Sequence, residues 1–216
     1  MALKAEDEKK TVFSAFHKAV LVDGGPENYN KYAPFYEKDH EKYIAHKSAA
    51  DGWLHYHQQA LGQSGSRKHK LFDAGCGTGL VLESMLAASL NRDLIEVHGG
   101  DLSTEMLEIA RSKNIYDDLK MVNLKEHLPY DTDSFDSIVS AGVFLQGHCG
   151  PESLPNLVRV LKKGGLLIAT ARKAFYEETK QEWEKQMQKC PCVLEEAHEI
   201  PYIVDTPGVL LVIRKQ

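Results

Sequence analysis

The segment LFDAGCGTG, residues 71–79, leads from a short apolar stretch into three closely spaced glycines, and this transition indicates the fold class. Gly75 lets the chain turn sharply out of a strand, and Gly77 has no side chain to keep a ligand away from the backbone. Residues 80–88 have a helical pattern, so the N–H groups at the start of that helix face the same space. The segment therefore predicts a strand, a glycine turn and a helix, with a ligand at the turn.

Asp101 is the acidic partner that such a turn requires. It follows a second apolar strand, predicted over residues 94–99, and stands 24 positions after Gly77. A carboxylate there can accept hydrogen bonds from both hydroxyls of a ribose, although Asp101 is also a candidate helix N-cap and the two roles can coexist. Leu80 occupies the position of the third glycine in a dinucleotide fingerprint, which disfavours a nicotinamide dinucleotide.

Strands and helices alternate on both sides of this unit. This pattern predicts an α/β fold, a doubly wound, mostly parallel sheet covered on both faces, with an antiparallel strand near the end. The predicted strands cover residues 71–74, 94–99, 120–124, 135–140, 166–171, part of 193–204, and 209–214, and the helices between them cover residues 80–88, 103–113, 154–161 and 175–188.

The N-terminal part has a different pattern. Apolar residues at helical spacing predict a helix over 11–21, and a second helical region covers 27–61, broken near Asp39 and near Asp51-Gly52. A polar loop over 62–68 follows. Residues 1–62 are expected to form a helical cap or lid at the carboxyl edge of the sheet, within the same domain as the ligand-binding residues 63–216.

Four ordered motifs resemble those of the class I S-adenosylmethionine-dependent methyltransferases. Residues 71–79 resemble their first motif, GDLSTEML at 100–107 their acidic second motif, 128–136 the segment before their fourth strand, and LKKGG at 161–165 the turn before their fifth. The sequence YNKYAPFYE at 29–37 resembles a lid motif of small-molecule members. The whole chain, including YIAHK at 43–47, looks close to a methyltransferase-like protein of this family. The resemblance implies a seven-stranded Rossmann-like methyltransferase fold with an N-terminal helical cap, and S-adenosyl-L-methionine as cofactor.

The resemblance also implies roles for individual residues. Those expected around the methionine end of the cofactor are Asp73, Gly75 and Gly77, covered by Tyr29 and Tyr36, whereas Asp101 would hold the ribose. The residues expected against the adenine are Leu102, Met106, Asn123 and Leu124, and those expected under the sulfonium are Ala141 and Gly142. Many relatives have an Asp before a small residue where this chain has Asn123 and Leu124, so Asn123 or a backbone amide would replace that carboxylate.

His148 is the best-placed candidate for a general base, because it follows the fourth strand at the carboxyl edge. The alternative is an ordinary loop histidine. Since S-adenosylmethionine carries an activated methyl group, the protein needs mainly to align the acceptor, and a base is required only for a weakly acidic acceptor. No metal is expected, and the four cysteines show neither a disulfide framework nor a zinc spacing.

The net charge of −5 disfavours a generally basic nucleic-acid surface, and no apolar run has the length of a membrane span. A cytoplasmic protein is expected, with a nuclear location also open and a monomer favoured. The favoured function is methyl transfer to a small molecule or a compact protein site. The alternatives are a non-catalytic cofactor-binding protein that acts through partners, and a methyltransferase for a large protein or RNA. A dinucleotide-dependent oxidoreductase is a further alternative, which the glycine spacing disfavours.

Overall fold

The computed structural model describes residues 24–39, 43–61, 67–203 and 206–216. Within these ranges the chain forms helices joined by short 3-10 turns, and strands that alternate with them. The helices are α1 (Pro26–Tyr32), α2 (Tyr36–Asp39), α3 (Ala45–Leu61), α4 (Leu80–Ala87), α5 (Thr104–Ser112), α6 (Leu154–Val160) and α7 (Lys173–Lys189). The strands are β1 (His69–Ala74), β2 (Ile95–Asp101), β3 (Asp118–Met121), β4 (Phe135–Phe144), β5 (Leu161–Arg172), β6 (Cys192–Ile203) and β7 (Thr206–Lys215).

The strands form one seven-stranded sheet in the order β3-β2-β1-β4-β5-β7-β6. The strands β1 to β5 pair in parallel, and β7 is inserted antiparallel between β5 and β6. Ala74 pairs with Gly100, so the ends of β1 and β2 meet at the carboxyl edge, beside the end of β4. The doubly wound, mostly parallel fold predicted from the sequence is thereby confirmed, and the edge that collects these strand ends is where such sheets bind ligands.

One face of the sheet is covered by α3 and α4. Trp53 is fully buried there, and its indole N–H donates to Ser137 Oγ on β4 at 2.8 Å. The apolar residues that α3 contributes to this core are Ala49, Ala50, Trp53, Leu54 and Leu61. Helix α3 therefore lies on the face of the sheet, and the prediction that all the N-terminal helices cap the carboxyl edge is wrong for this helix.

The predicted break of the helix near Asp51-Gly52 is also wrong, because α3 continues through both residues. A Cβ atom at Gly52 would lie 2.9 Å from Leu210 Cδ2 and 3.3 Å from Ile168 Cγ2. The glycine allows the helix to approach β5 and β7 closely. This packing outweighs the cost of about 1 kcal/mol that a glycine adds within a helix.

The opposite face carries α6 and α7, which bury their apolar sides against β4, β5 and β7. Trp183 of α7 packs edge-on against Phe144 at the end of β4, with 5.1 Å between ring centroids. A second buried core results, so the sheet is covered on both faces as the near-continuous apolar run 166–169 predicts.

Two predicted segments lie outside the described residues: the helix over 11–21 and most of the loop over 62–68. None of the helices in the described parts of the chain combines the length and apolarity that a bilayer crossing requires.

Candidate functional site: a cavity at the carboxyl edge of the sheet

The glycine turn after β1 has the backbone conformation that the sequence predicts. Gly75, Gly77 and Gly79 have φ angles of +77°, +54° and +96°, which favour glycine over other residues. The N–H of Gly75 donates to the carbonyl of Gly100 at 2.7 Å, so the turn is held against the end of β2. A Cβ atom at Gly77 would meet nothing within 4 Å, so this glycine faces open space.

Asp101 is bound to the same turn. Its Oδ2 accepts a hydrogen bond from the N–H of Gly77 at 2.8 Å, and its Oδ1 accepts one from the N–H of Ser103 at 2.9 Å. Burial raises the pKa of the Asp101 carboxyl, and these backbone hydrogen bonds partly offset that effect. Ser103, and not Asp101, caps α5, since Ser103 Oγ accepts from the N–H of Met106. Asp101 is therefore rigidly oriented beside the glycine turn.

A cavity of about 250 Å³ opens above this turn. It brings together nearly all the site residues predicted from the sequence: Tyr29, Tyr36, Gly75, Gly77, Asp101, Leu102, Met106, Asn123, Leu124, Ala141, Gly142 and His148. Val143, which the resemblance places near the sulfonium beside Gly142, also lines the cavity. The sequence did not predict the other residues in its wall, which are Gly24, Gly25, Val122, Lys125, Gly147 and Cys149. Most of these residues adjoin a predicted residue in the chain. Gly24 and Gly25 stand before Pro26, and this composition predicts only a turn that ends the preceding helix.

Asp73 is the predicted site residue that does not line the cavity. It is buried in β1, and its Oδ2 accepts a hydrogen bond from the hydroxyl of Tyr116 at 2.7 Å. Its Oδ1 is buried without a hydrogen-bond partner among the described residues. Burial raises the pKa of Asp73 to about 7; the Tyr116 hydrogen bond opposes this shift and the Asp101 charge adds to it. The sequence contains no signal for Tyr116, which is 43 positions away.

The segment 24–39, which comprises α1 and α2 and the turn between them, covers one side of the cavity. A 3-10 turn over Ala33–Phe35 interrupts the helix between Tyr29 and Tyr36, yet their ring centroids remain 6.5 Å apart. Asn30 Oδ1 accepts from Ser103 Oγ at 2.6 Å, next to Asp101. Lys113, the C-cap of α5, contacts Glu37 at 2.6 Å and also Glu83 of α4 at 2.6 Å. These contacts join the segment to the two helices that follow the glycine turn and Asp101.

His148 contacts Tyr29 in the wall of the cavity. The Tyr29 hydroxyl lies 2.7 Å from His148 Nε2, and the two rings pack edge-on with centroids 5.5 Å apart. His148 Nδ1 lies 3.1 Å from the carbonyl of Gln146, which can only accept, so Nδ1 carries the proton and Nε2 accepts from Tyr29.

Gly24 supports the same histidine. Its N–H donates to the carbonyl of Gly147 at 3.2 Å, and a Cβ atom there would lie 2.5 Å from the His148 ring. The backbone of the covering segment therefore holds the ring in place.

The wall under the cavity is formed by the end of β4. Gly142 has a φ angle of +72°, and a Cβ atom on it would lie 2.0 Å from the Tyr43 hydroxyl. Both features require glycine at this position. Tyr43 thus packs against Gly142, a contact that the sequence did not predict.

Asn123 and Leu124 line the cavity, as expected of residues that would contact the adenine. The side chain of Asn123 is engaged locally: its Oδ1 accepts from the N–H of Lys125 at 3.0 Å and its amide donates to Glu126 at 2.9 Å. The loop after β3 is therefore shaped by Asn123 itself.

These features fit a nucleoside with a cationic, amino-acid-like tail. The open space beside Gly77 accepts a ligand against the backbone, the fixed Asp101 carboxylate suits a ribose diol, and the orphan oxygen of Asp73 is a buried acceptor close to the turn. Within the described ranges, no group of three or more His, Cys, Asp or Glu side chains is arranged to hold a metal ion.

Comparison with known proteins agrees with this geometry. Residues 72–169 match a family model described as a methyltransferase domain. The chain is 32% identical over 147 residues to methyltransferase-like protein 27 of Homo sapiens, an alignment that covers 67% of this chain and 56% of that protein. It is 30% identical over 152 residues to demethylmenaquinone methyltransferase of Symbiobacterium thermophilum, which covers 66% of this chain and 60% of that enzyme. The chain thus spans less than two thirds of the length of these relatives.

A solved structure shares the fold. The crystal structure of a TehB-like S-adenosylmethionine-dependent methyltransferase from Corynebacterium glutamicum superimposes with a TM-score of 0.58 at 19% identity, over 89% of this chain and 100% of that one. The match supports the seven-stranded architecture and the ordering of its elements.

Proposed function

This chain belongs to the family of class I S-adenosylmethionine-dependent methyltransferases, and on that basis we propose that it transfers a methyl group from S-adenosylmethionine to a small molecule or a compact protein site. The observation that carries the proposal is the pairing of Asp101 with Gly77, because it fixes a ribose-binding carboxylate at the mouth of an open glycine turn.

The proposed roles follow from position in the cavity. Asp101 binds the ribose hydroxyls, and Gly75 and Gly77 admit the methionine portion against the backbone. The apolar contacts with the adenine come from Leu102, Met106, Val122 and Leu124. When bound, the cofactor supplies a methyl group on a positively charged sulfur.

The remaining work of the protein is to align the acceptor and to exclude water. Ala141, Gly142 and Val143 offer small or apolar surface beneath the transfer path, and Tyr29 and Tyr36 cover it from the other side. Burial raises the pKa of Tyr36 far above its usual range, so its hydroxyl remains neutral.

A compact acceptor is supported by the covering segment. Residues 24–39 close one side of the cavity through contacts with Ser103, Lys113 and Gly147, which limits the approach of a large folded substrate. The name of the relative demethylmenaquinone methyltransferase refers to a small-molecule acceptor, which agrees with this proposal.

The test is incubation of the protein with methyl-labelled S-adenosylmethionine and a cell extract separated into small molecules, proteins and RNA. We expect label in the small-molecule fraction or in a protein, and less of it with Asp101→Ala when the cofactor concentration is limiting. Label confined to RNA would contradict the proposed acceptor class. Cofactor binding without labelling of any fraction would instead favour a non-catalytic binding protein.

A further inference from the structure

Tyr29 and His148 are a hydrogen-bonded pair of titratable side chains that the alignment described above does not use. Both residues line the cavity, together with Gly147 and Cys149. Resting on the proposed function, we propose that Tyr29 and His148 form a proton relay, and that the methyl acceptor is a weakly acidic hydroxyl group.

The tautomer of His148 sets the direction of the relay. Nδ1 donates to the carbonyl of Gln146, so Nε2 carries the accepting lone pair, which is directed at the Tyr29 hydroxyl at 2.7 Å. Tyr29 therefore donates its own proton to His148 and presents its oxygen lone pairs to the cavity. An acceptor hydroxyl that donates to Tyr29 completes a chain of two hydrogen bonds.

The chemical step balances along this chain. The acceptor oxygen forms a bond to the methyl carbon while the carbon–sulfur bond breaks and its electron pair remains on sulfur. The acceptor proton passes to Tyr29, and the Tyr29 proton passes to Nε2 of His148. His148 is only half-buried, so it returns the proton to water afterwards.

Tyr29 could not act as the base alone. Burial raises its pKa well above 10, and the nearby Tyr36 and Asp101 add to this shift, so the phenol is neutral in the working range. The relay does not need an ionised Tyr29, because Tyr29 loses and gains a proton in the same step.

Cys149 is also excluded as the base. Burial raises the pKa of its thiol to about 11, against a smaller lowering effect from Lys125. A neutral thiol at that position packs against the acceptor and does not compete for its proton.

The charges around the cavity favour a hydroxyl over an amine. Asp101 is the carboxylate among the described residues that line the cavity, and its oxygens are engaged by the amides of Gly77 and Ser103. Lys125, the cation among the described lining residues, adjoins Leu124 and lies 3.6 Å from Glu152. An ammonium group would find no further carboxylate among the described lining residues, whereas an oxygen that gains negative charge is stabilised by the cofactor's sulfonium.

The relay also depends on the covering segment. Gly24 packs against the His148 ring and Tyr29 supplies the middle hydroxyl, and both belong to residues 24–39. The proton path is therefore complete only when this segment lies over the cavity, which links acceptor activation to the exclusion of water.

The probes are phenol, 4-nitrophenol and aniline, three acceptors of similar shape, assayed with labelled S-adenosylmethionine at mildly alkaline pH. We expect methylation of both phenols in preference to aniline. Tyr29→Phe and His148→Gln should each lower the rate with phenol by about 100-fold or more, the usual contribution of general acid–base catalysis. The same variants should have a much smaller effect with 4-nitrophenol, because its oxygen is already ionised and needs no relay.

Matched controls are Tyr56→Phe and His55→Gln on α3, which lie outside the cavity wall and should leave all rates unchanged. Equal losses with phenol and 4-nitrophenol would show that Tyr29 and His148 act only as structural supports. A preference for aniline, or no methylation of either phenol while the cofactor still binds, would overturn the hydroxyl assignment. Failure of the wild-type protein to bind the cofactor would instead contradict the proposed function.

A second measurement does not depend on turnover. In protein labelled with 15N at histidine, with the His148 signal assigned from His148→Gln, we expect the proton on Nδ1 and a shifted Nε2 resonance in Tyr29→Phe. A proton on Nε2 in the neutral ring would contradict the relay.

Discussion

The carboxylate of Asp101 accepts a hydrogen bond from the backbone N–H of Gly77 at 2.8 Å, across the gap between two neighbouring parallel strands. A side chain at the end of β2 is thus aligned by the turn at the end of β1. The glycine turn and the carboxylate are joined by a direct hydrogen bond, and this pairing makes Asp101 the first target for mutation.

Replacing Asp101 with alanine should weaken S-adenosylmethionine binding by about 1–3 kcal/mol, because a charge-assisted pair of hydrogen bonds to the ribose is lost. This corresponds to a roughly 5- to 150-fold increase in Kd. Isothermal calorimetry measures it, and thermal melting checks that the variant is folded. Asp131→Ala, in an exposed loop, is the matched control. Unchanged affinity in a folded Asp101→Ala protein would remove the ribose role.

Asp73 should release a proton when the positively charged cofactor binds. Its pKa is raised to about 7 in the protein alone, mainly by burial, and a nearby cation favours the ionised carboxylate and lowers that pKa. Affinity should therefore rise as the pH increases through about 7. Calorimetry in two buffers of different ionisation enthalpy counts the released protons, and Asp73→Asn should abolish the release. No difference between wild type and Asp73→Asn would show that the Asp73 carboxyl does not respond to the ligand.

Most of the architecture could be predicted because it depends on local patterns. The apolar runs of β1, β4 and β5 form strands in the structure, and the glycines after β1 form the turn, as their sequence patterns predict. The last strand is predicted to begin after a turn at Pro207-Gly208, but both residues lie inside β7, where they pair with Pro201 and Ile200 of β6.

What could not be predicted depends on contacts between distant parts of the chain. The continuity of α3 at Gly52 is decided by packing against Leu210 and Ile168, far away in sequence. Asp73 is hydrogen-bonded to Tyr116, 43 positions away, and does not line the cavity. Tyr29 and His148, which form another such pair, are 119 positions apart. Periodicity carries no information about such pairs.

The covering segment should respond to ligand more strongly than the sheet does. Residues 24–39 are joined to the wall of the cavity by contacts that include Asn30 to Ser103 and Glu37 to Lys113, whereas β7 is paired with a neighbouring strand on both sides in the sheet. We expect saturating S-adenosylmethionine to slow amide hydrogen exchange over 24–39 far more than over Thr206–Lys215. Lys113→Ala should weaken this protection. Exchange over 24–39 that is equal with and without ligand would identify the segment as a static cap.

Two of the three buried histidines among the described residues, His57 and His69, should make the protein sensitive to acid. Burial lowers the pKa of both His57 and His69 to about 4, and a charged Asp136 nearby only partly opposes this. The unfolded chain binds protons from about pH 6.5, so stability should fall progressively between about pH 6.5 and about pH 4 and then stop falling from this cause.

Urea unfolding at several pH values measures this dependence. His57→Gln and His69→Gln should each flatten the pH dependence between those limits, even if they lower stability at neutral pH. His55→Gln, on the exposed side of α3, should leave the slope unchanged. A wild-type free energy of unfolding that is constant from about pH 6.5 to about pH 4 would contradict the effect assigned to these two residues.

The cofactor assignment is tested by calorimetry with three ligands on the same protein: S-adenosylmethionine, its demethylated product and NAD. The turn has Leu80 in place of the third glycine, and Gly77 faces open space that a valine side chain would fill while straining a φ angle of +54°. We therefore predict saturable binding of S-adenosylmethionine and its product, no binding of NAD, and loss of binding in a folded Gly77→Val variant. Binding of NAD as tight as that of S-adenosylmethionine, or binding that survives Gly77→Val unchanged, would contradict the assignment of the site.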